Sequence, residues 1–331
     1  MRNAVIIGSG SFVPEKIVPN SFFNKLLNED VDTWLKDNLT IEERRWCNEN
    51  ESTADLAYNA SVSAINNANI KVSDIDLIIV ATDTPEYISP STASIIQHRL
   101  NAVNCGTFDL NTACAGFVTA LDVATKFIRG DENYNHILVV GVYAMSKYLD
   151  LTDKKTVTLF ADGAGAVVLK SSDGVGYLTS LLHTDGQYAD WMGIYAGGTH
   201  FPINKELIEN KDHLLKFVKK IPKEINPATW SSMITKCCER VKISPTEIDH
   251  YFFTQININS IWETLDKLNV PHARAHTIMS KYGYTGSACI PMAFDDARKK
   301  NKMKDGEIVC FMGSGGGLAF ACSIYKMNFK T

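Results

Sequence analysis

The sequence predicts an α/β fold made of two copies of one plan, and three observations carry that prediction. Apolar strand-like runs alternate with helix-like segments along the chain. The runs are apolar at successive positions, the pattern of sheets covered on both faces. The second half also repeats the first at an offset near 173 residues. Ser73-Asp74-Ile75-Asp76 leads into the strand-like run at 77–81, and Thr246-Glu247-Ile248-Asp249 leads into a run at 250–253. The same offset carries Ala120-Leu121-Asp122-Val123-Ala124 onto Ala293-Phe294-Asp295-Asp296-Ala297, and Thr112 and Cys114 onto Thr285 and Ser287. A length of 331 residues suits two domains at roughly 150 residues each, expected at 1–172 and 173–331.

Taken in order, residues 4–7 read as a short strand opening into Gly8-Ser9-Gly10. Residues 52–67 read as a helix capped by Ser52 or Thr53, with Leu56, Ala60, Val62, Ala64 and Ile65 supplying most of an apolar face. A buried strand at 76–82 is followed by a helix at 88–100 and a strand at 108–111. The next helix, about 114–129, is hydrophobic nearly all round and therefore central. Strands follow at 137–142 and 165–170. The linker between halves is expected within 171–227, including an aromatic-rich part at 187–201 and a charged helix at 205–220.

Composition excludes several function classes. Hydrophobic residues at 45% and charged residues at 21% describe an ordinary globular protein. The net charge of -4 and the lack of a basic block argue against nucleic acid as a partner. No apolar run approaches the ~18 residues of a membrane span. The trio Val5-Ile6-Ile7 is too short for a signal-peptide core, so a cytoplasmic protein is expected. The eight cysteines form no C-x-x-C pair, which argues against zinc and points to buried thiols in a reducing compartment.

Cys114 stands apart from the other seven. Asp109-Leu110-Asn111-Thr112-Ala113-Cys114-Ala115-Gly116-Phe117 runs from a strand, through a turn of small residues, into the central helix. A thiol at a helix start meets free backbone N–H groups and the positive dipole end, which favour the nucleophilic thiolate. The alternative is a small residue packed at a crowded helix start. Phe160-Ala161-Asp162-Gly163-Ala164-Gly165-Ala166 and Met312-Gly313-Ser314-Gly315-Gly316-Gly317 lack the Gly-Lys-Ser/Thr of a phosphate loop. Gly315 and Gly316 suit an oxyanion hole beside the thiol, or else a tight turn between packed strands.

Together these segments carry a resemblance. Thr112-Ala113-Cys114-Ala115-Gly116-Phe117, the 160–166 and 313–317 glycine runs, Leu182-His183-Thr184-Asp185-Gly186 and the opening 6–14 resemble the motifs of beta-ketoacyl-acyl-carrier-protein synthase III, of the thiolase-fold superfamily. The likeness is in register over about 3–326. It implies a duplicated five-layer αβαβα sandwich, a homodimer, and a cysteine that takes an acyl group from an acyl-CoA or acyl-carrier-protein thioester, with no resident cofactor.

Two departures bear on the chemistry. Where the family has His-Gln-Ala-Asn, this chain has Thr254-Gln255-Ile256-Asn257; where it has Gly-Asn-Thr-Ser, this chain has Gly283-Tyr284-Thr285-Gly286. The resemblance therefore puts Thr254 and Tyr284 in place of the His and Asn that polarise a malonyl carbonyl during decarboxylation. Neither hydroxyl is a base at neutral pH, and Tyr284 is expected to fill the malonate space. Acyl transfer from Cys114 to a non-malonyl acceptor is the expectation. The alternatives are a decarboxylating synthase with rearranged donors and a non-catalytic subunit supporting a related synthase-like protein.

The resemblance also suggests contacts for the substrate. Trp34 matches a residue that stacks on the CoA adenine, while Asn38 stands where an Arg is common. Asn257 and Phe160 fall in substrate-side motifs. Asn259 replaces an Arg that meets the carrier protein, leaving Arg44, Arg45, Lys154 or Lys155 as candidates. Ser89, in place of a Phe that closes the acyl pocket across the dimer, suggests a longer acyl chain, and Glu86 is a candidate acid or base across the same interface. His183, His250, His272 and His276 read as structural or surface histidines.

Overall fold

The computed structural model describes residues 2–328. In chain order come β1 (Asn3–Phe12), β2 (Ile17–Pro19), α1 (Asn20–Leu27), α2 (Asp32–Leu39), β3 (Glu43–Arg45), α3 (Thr53–Ala68), β4 (Leu77–Ala81), α4 (Thr92–Leu100), β5 (Gly106–Leu110), α5 (Gly116–Gly130), β6 (His136–Ala144), α6 (Lys154–Val157) and β7 (Asp162–Ser172). The chain continues through β8 (Tyr177–Thr184), β9 (Met192–Gly193), α7 (Lys205–Glu209), β10 (Lys216–Phe217), α8 (Ile225–Val241), β11 (His250–Phe253), α9 (Ile258–Lys267), α10 (Met279–Tyr282), α11 (Cys289–Lys299), β12 (Ile308–Gly315) and β13 (Ala319–Lys326). None of its described helices is long and apolar enough to cross a membrane.

Two mixed sheets share one topology. The first has the order β1-β7-β6-β4-β5, and the second has β8-β13-β12-β11. In both, the first two pairings are antiparallel and the third is parallel. At the edge equivalent to β5, the second sheet carries an isolated parallel bridge from Tyr251 to Ala275. The repeat extends to side chains. Asp76 accepts from the His136 N–H at the start of β6, and Asp249 accepts from the Ile308 N–H at the start of β12, each at 2.8 Å.

The layers follow from the alternation along β4. Ile78 and Val80 pack outward with Leu56, Ala60 and Ile96 of α3 and α4. Leu77, Ile79 and Ala81 face inward, toward Phe117, Leu121 and Ala124 of α5. Side chains at successive strand positions point to opposite faces, so a strand apolar at every position must be covered twice. Helices α5 and α11 fill the centre between the sheets, and α8, backed by α9, covers the second sheet. This is the five-layer αβαβα sandwich.

Several elements differ from the sequence expectation. Strand β1 runs through Gly8 and Gly10 to Phe12, because α3 crosses the strand so closely that a Cβ on Gly10 would stand 2.4 Å from the Ala64 nitrogen. The helix expected from 88 begins at Thr92, where the Asp109 carboxylate accepts from the Thr92 and Ala93 N–H groups at 2.6 and 2.8 Å. Strand β7 begins at Asp162, within the glycine run expected to precede it. The charged helix expected over 205–220 stops at Glu209. Lys211 turns left-handed with φ 59, and the Leu215 N–H then bonds to the Tyr148 carbonyl at 2.8 Å while Phe217 pairs with β9. The stretch expected as linker also contains β8, the edge strand of the second sheet.

Candidate active site

Cys114 sits at the apex of a turn, two residues ahead of α5 rather than on its first residue as expected. Ala113 adopts φ 45, a left-handed conformation that costs a non-glycine residue of order 1–3 kcal/mol and marks a conformation fixed by its surroundings. Asn111 Oδ1 accepts from the Ala113 N–H at 2.8 Å, and the Gly116 N–H closes onto the Ala113 carbonyl at 2.9 Å. The turn lies against the end of β12. A Cβ on Gly315 would come 2.5 Å from the Cys114 nitrogen, and one on Gly313 would come 3.0 Å from the Ala115 Cα. The arrangement is reciprocal: a Cβ on Gly141, at the equivalent place in β6, would come 2.3 Å from the Ser287 carbonyl oxygen. Each half thus supplies a strand end that closes the turn of the other.

The sulfur is enclosed, with Cys114 only 2% exposed. Burial pushes its thiol well above the ordinary value, and the Asp83 carboxylate adds to the rise. The Tyr284 phenol and, more weakly, the residue's own N–H act in the opposite direction. The thiolate expected from a helix start is therefore disfavoured in this state. Loss of solvation outweighs the hydrogen-bond donors, and among the described residues no cation figures in the leading influences on this thiol. Cys289, the first residue of α11, is buried nearby, its thiol pushed up to about 12.

Tyr284 is buried in an aromatic cluster, 5.4 Å from the Phe160 ring and 6.5 Å from that of Tyr143. Its backbone is fastened at both ends: its N–H bonds to the Leu159 carbonyl, and its carbonyl accepts from the Ala161 N–H, both at 2.9 Å. Phe160 also packs against the tilted ring of Phe217, with centroids 6.0 Å apart. Thr254, also buried, uses its hydroxyl twice on one residue: it accepts from the Ser314 N–H at 2.9 Å and donates to the Ser314 carbonyl at 3.2 Å. Thr254 thereby holds the strand end whose next residue, Gly315, closes on Cys114. The structure brings Cys114, Tyr284, Phe160, Gly315 and, through Ser314, Thr254 into one cluster, and Gly316 lines the adjoining cavity.

Other residues named from the sequence lie elsewhere. Trp34 is 55% exposed on the wall of a groove of about 520 Å³ that also includes Glu29, Leu35, Lys154, Lys155 and Thr158. Asn38 donates to the Trp34 carbonyl, and Asn259 donates to the Asn38 carbonyl, both at 2.9 Å, so the two asparagines tie α9 to α2 beside this groove. Asn257 caps α9 by accepting from the Asn259 N–H at 3.0 Å. Ser89 is exposed and lines a separate groove with Tyr87, Ile88 and β5. Glu86 accepts from the Ala54 N–H at 2.8 Å, at the first turn of α3.

Arg44 does not belong with the docking candidates. It is fully buried, with its guanidinium bonded to Asn20 Oδ1 at 2.7 Å, the Thr158 carbonyl at 2.5 Å and the Val18 carbonyl at 3.2 Å. Lys154 pairs with Glu29 at 2.8 Å, and Arg45 pairs with Glu43 at 3.3 Å. The histidines have structural partners: His250 contacts Glu307, His272 contacts Asp266, His276 contacts Asp296, and His183 stacks on Phe320.

One residue escaped the sequence reading. Asp83 lines a cavity of about 270 Å³ with Ala113, Tyr143, Met192, Gly316 and Gly317, alongside the Cys114 turn. A carboxylate two residues after the buried run 77–81 was the available signal, since ligands gather at the carboxyl ends of parallel strands.

Comparison with known proteins matches this geometry to a family. A profile described as 3-oxoacyl-[acyl-carrier-protein] synthase III matches residues 108–186, and its C-terminal counterpart matches residues 238–327. A beta-ketoacyl-[acyl-carrier-protein] synthase III of Clostridium acetobutylicum is 37% identical over 98% of this chain and 99% of its own length. One of Clostridioides difficile is 35% identical, covering 98% of both chains. Among solved structures, the 3-oxoacyl-[acyl-carrier-protein] synthase III of Aquifex aeolicus superposes with a TM-score of 0.86 at 30% identity, covering 98% of this chain and 99% of the other. The priming beta-ketosynthase of the R1128 polyketide pathway gives 0.88 at 25% identity, covering 99% and 97%.

Proposed function

The chain belongs to the 3-oxoacyl-[acyl-carrier-protein] synthase III family, and on that premise we propose an acyltransferase that works through Cys114 without malonyl decarboxylation. Cys114 takes an acyl group from an acyl-CoA or acyl-carrier-protein thioester, and the acyl-enzyme passes it to a non-malonyl acceptor in fatty-acid-related or specialised metabolism. The observation that carries this reading is the pairing at the sulfur: Cys114 is held under Gly315 by a left-handed turn, and its side-chain donor is the phenol of Tyr284.

The acylation half needs a thiolate and donors for the carbonyl oxygen. The backbone N–H groups of Cys114 and of the Gly315-Gly316 segment are the proposed oxyanion donors, and the phenol stabilises the thiolate as it forms. The decarboxylation half is where the two substitutions act. Tyr284 stands in for the family's Asn and Thr254 for its His; the Thr254 hydroxyl is occupied by Ser314, and neither residue is a base. The Trp34 groove suits the nucleotide end of CoA, with Lys154 and Lys155 beside it for phosphates. We assign homodimerisation to the edge of β5, where Tyr87 and the 85% exposed Ile88 lead into Ser89. The enclosure of Cys114 favours a second reading, a non-catalytic subunit of a synthase-like complex.

Intact-mass measurement after incubation with an acyl-CoA, or with an acyl carrier protein loaded with the same chain, tests the proposal. An acyl adduct that disappears in Cys114→Ala supports it. No adduct from either donor favours the non-catalytic reading. Carbon dioxide released from a malonyl thioester by the acylated enzyme favours a decarboxylating synthase.

A further inference from the structure

Asp83 occupies a defined place in the topology. The chain passes from β4 to β5 on one side, then through α5 to β6 on the other side of β4. Such a reversal opens a crevice at the carboxyl ends of the strands. Asp83 follows β4 into that crevice and is pinned on both flanks. The Thr82 N–H bonds to the Leu110 carbonyl at 3.2 Å, and Thr84 Oγ1 accepts from the Ala144 N–H at 2.9 Å. Asp83 Oδ1 is buried without a hydrogen-bond partner, and the residue lines the cavity beside Ala113 and Gly316, which flank the Cys114 turn.

The charged surroundings are one-sided. The groups that feel this carboxylate are Cys114 ahead of α5, Tyr143 near the end of β6 and Tyr148 just after β6, with Glu86 of the same loop also acting on Tyr148. Among the described residues, no lysine, arginine or histidine contributes to the ionisation of Asp83. Burial raises its pKa to about 6, so it is an anion at neutral pH with one oxygen still wanting a donor.

Building on the reading of Cys114 as the acyl carrier, we propose that Asp83 selects and activates the acceptor: it excludes nucleophiles that carry a carboxylate and takes the proton of an amine or hydroxyl acceptor. A buried oxygen without a partner is most easily satisfied by a donor on the incoming molecule. A second anion in the same cavity, close to this carboxylate, is repelled. In the step itself, the acceptor nitrogen or oxygen forms a bond to the acyl carbon while its proton passes to Asp83. The carbon–sulfur bond then breaks, the sulfur leaves as thiolate, and that proton returns to it. The products are the acylated acceptor, the Cys114 thiol and the Asp83 carboxylate.

Two measurements on wild type, Asp83→Asn and Asp83→Glu test the proposal. The first compares alkylation of Cys114 by neutral iodoacetamide and anionic iodoacetate, resolved by peptide mass mapping. The wild type and Asp83→Glu should disfavour iodoacetate by roughly tenfold more than Asp83→Asn does, and the gap should close below pH about 6. A ratio unaffected by Asp83→Asn overturns the proposal. The second follows breakdown of the preformed acyl-enzyme by n-butanol, whose hydroxyl keeps its proton across this pH range. Its rate should rise with pH through about 6 in wild type and fall on the order of 10²-fold in Asp83→Asn, which loses that rise. Equal rates overturn the role of base. The alkylation ratio reads Asp83 whether or not an acyl-enzyme forms, so a missing acyl adduct counts against the reading of Cys114 alone.

Discussion

The Tyr284 side chain acts on the Cys114 thiol, and it is the strongest influence holding down a pKa that burial and Asp83 drive upward. The pairing joins the two halves of the chain at the sulfur. The Tyr284 backbone is fixed by Leu159 and Ala161, so the phenol is held in place without help from solvent.

Removing that donor should slow the thiol. A hydrogen bond to a charged group is worth about 1.5–3 kcal/mol, so Tyr284→Phe should reduce Cys114 alkylation by iodoacetamide ~10-fold to ~100-fold at fixed pH. Peptide-resolved alkylation kinetics give the answer, and an unchanged rate would mean that the phenol does not support the thiolate.

The proposed reading of Thr254 and Tyr284 predicts that installing His and Asn at these two positions confers decarboxylation. Thr254→His together with Tyr284→Asn places a base and an amide donor where a hydroxyl and a phenol now stand. The double variant should release carbon dioxide from a malonyl thioester at least ~10²-fold faster than the wild type, the scale of one oxyanion donor. Release that is just as fast in the wild type would remove the reason for calling these positions replaced.

Gly315 should tolerate no side chain. A Cβ 2.5 Å from the Cys114 nitrogen meets backbone that cannot rotate away. Gly315→Ala should cut acyl-adduct formation by more than ~10²-fold and lower stability by about 1–3 kcal/mol. Full adduct formation with an unchanged melting temperature would show that the two strand ends are looser than the geometry requires.

Asp83 should make stability fall as pH rises. Its pKa is about 6 when folded against an ordinary 3.8, so the folded state holds the proton more tightly. That contribution is complete below pH about 4 and lost as pH rises through about 6. Asp83→Asn should therefore be more stable than wild type by about 1–3 kcal/mol at pH 7.5, with the gain vanishing near pH 4. Denaturant midpoints across this range decide it, and a gain that grows toward low pH would reverse the assignment.

Arg44 should matter to folding rather than to docking. Arg44→Met leaves the Val18 and Thr158 carbonyls and the Asn20 amide oxygen without their shared donor. A loss of about 2–4 kcal/mol is expected, read as a lower denaturant midpoint. A stable variant that binds carrier protein poorly would instead return this residue to the surface role first expected of it.

The sequence by itself determined the architecture and singled out the Cys114 turn. Apolar residues at every position of 77–81 require cover on both faces, and the 173-residue repeat links Asp76 to Asp249, two carboxylates that start equivalent strands in the same way. Small residues around Cys114, between a strand and a central helix, marked the turn because no larger chain fits where two strand ends meet it. The tertiary structure alone decided the electrostatics. A dipole argument from local sequence makes Cys114 a thiolate, but ionisation depends on solvation and on charges from distant segments, and here Asp83 and Tyr284 approach from 31 residues before and 170 after. It also decided that Arg44 is interior, because burial of a charge depends on three carbonyl and amide oxygens that converge only once the chain has folded.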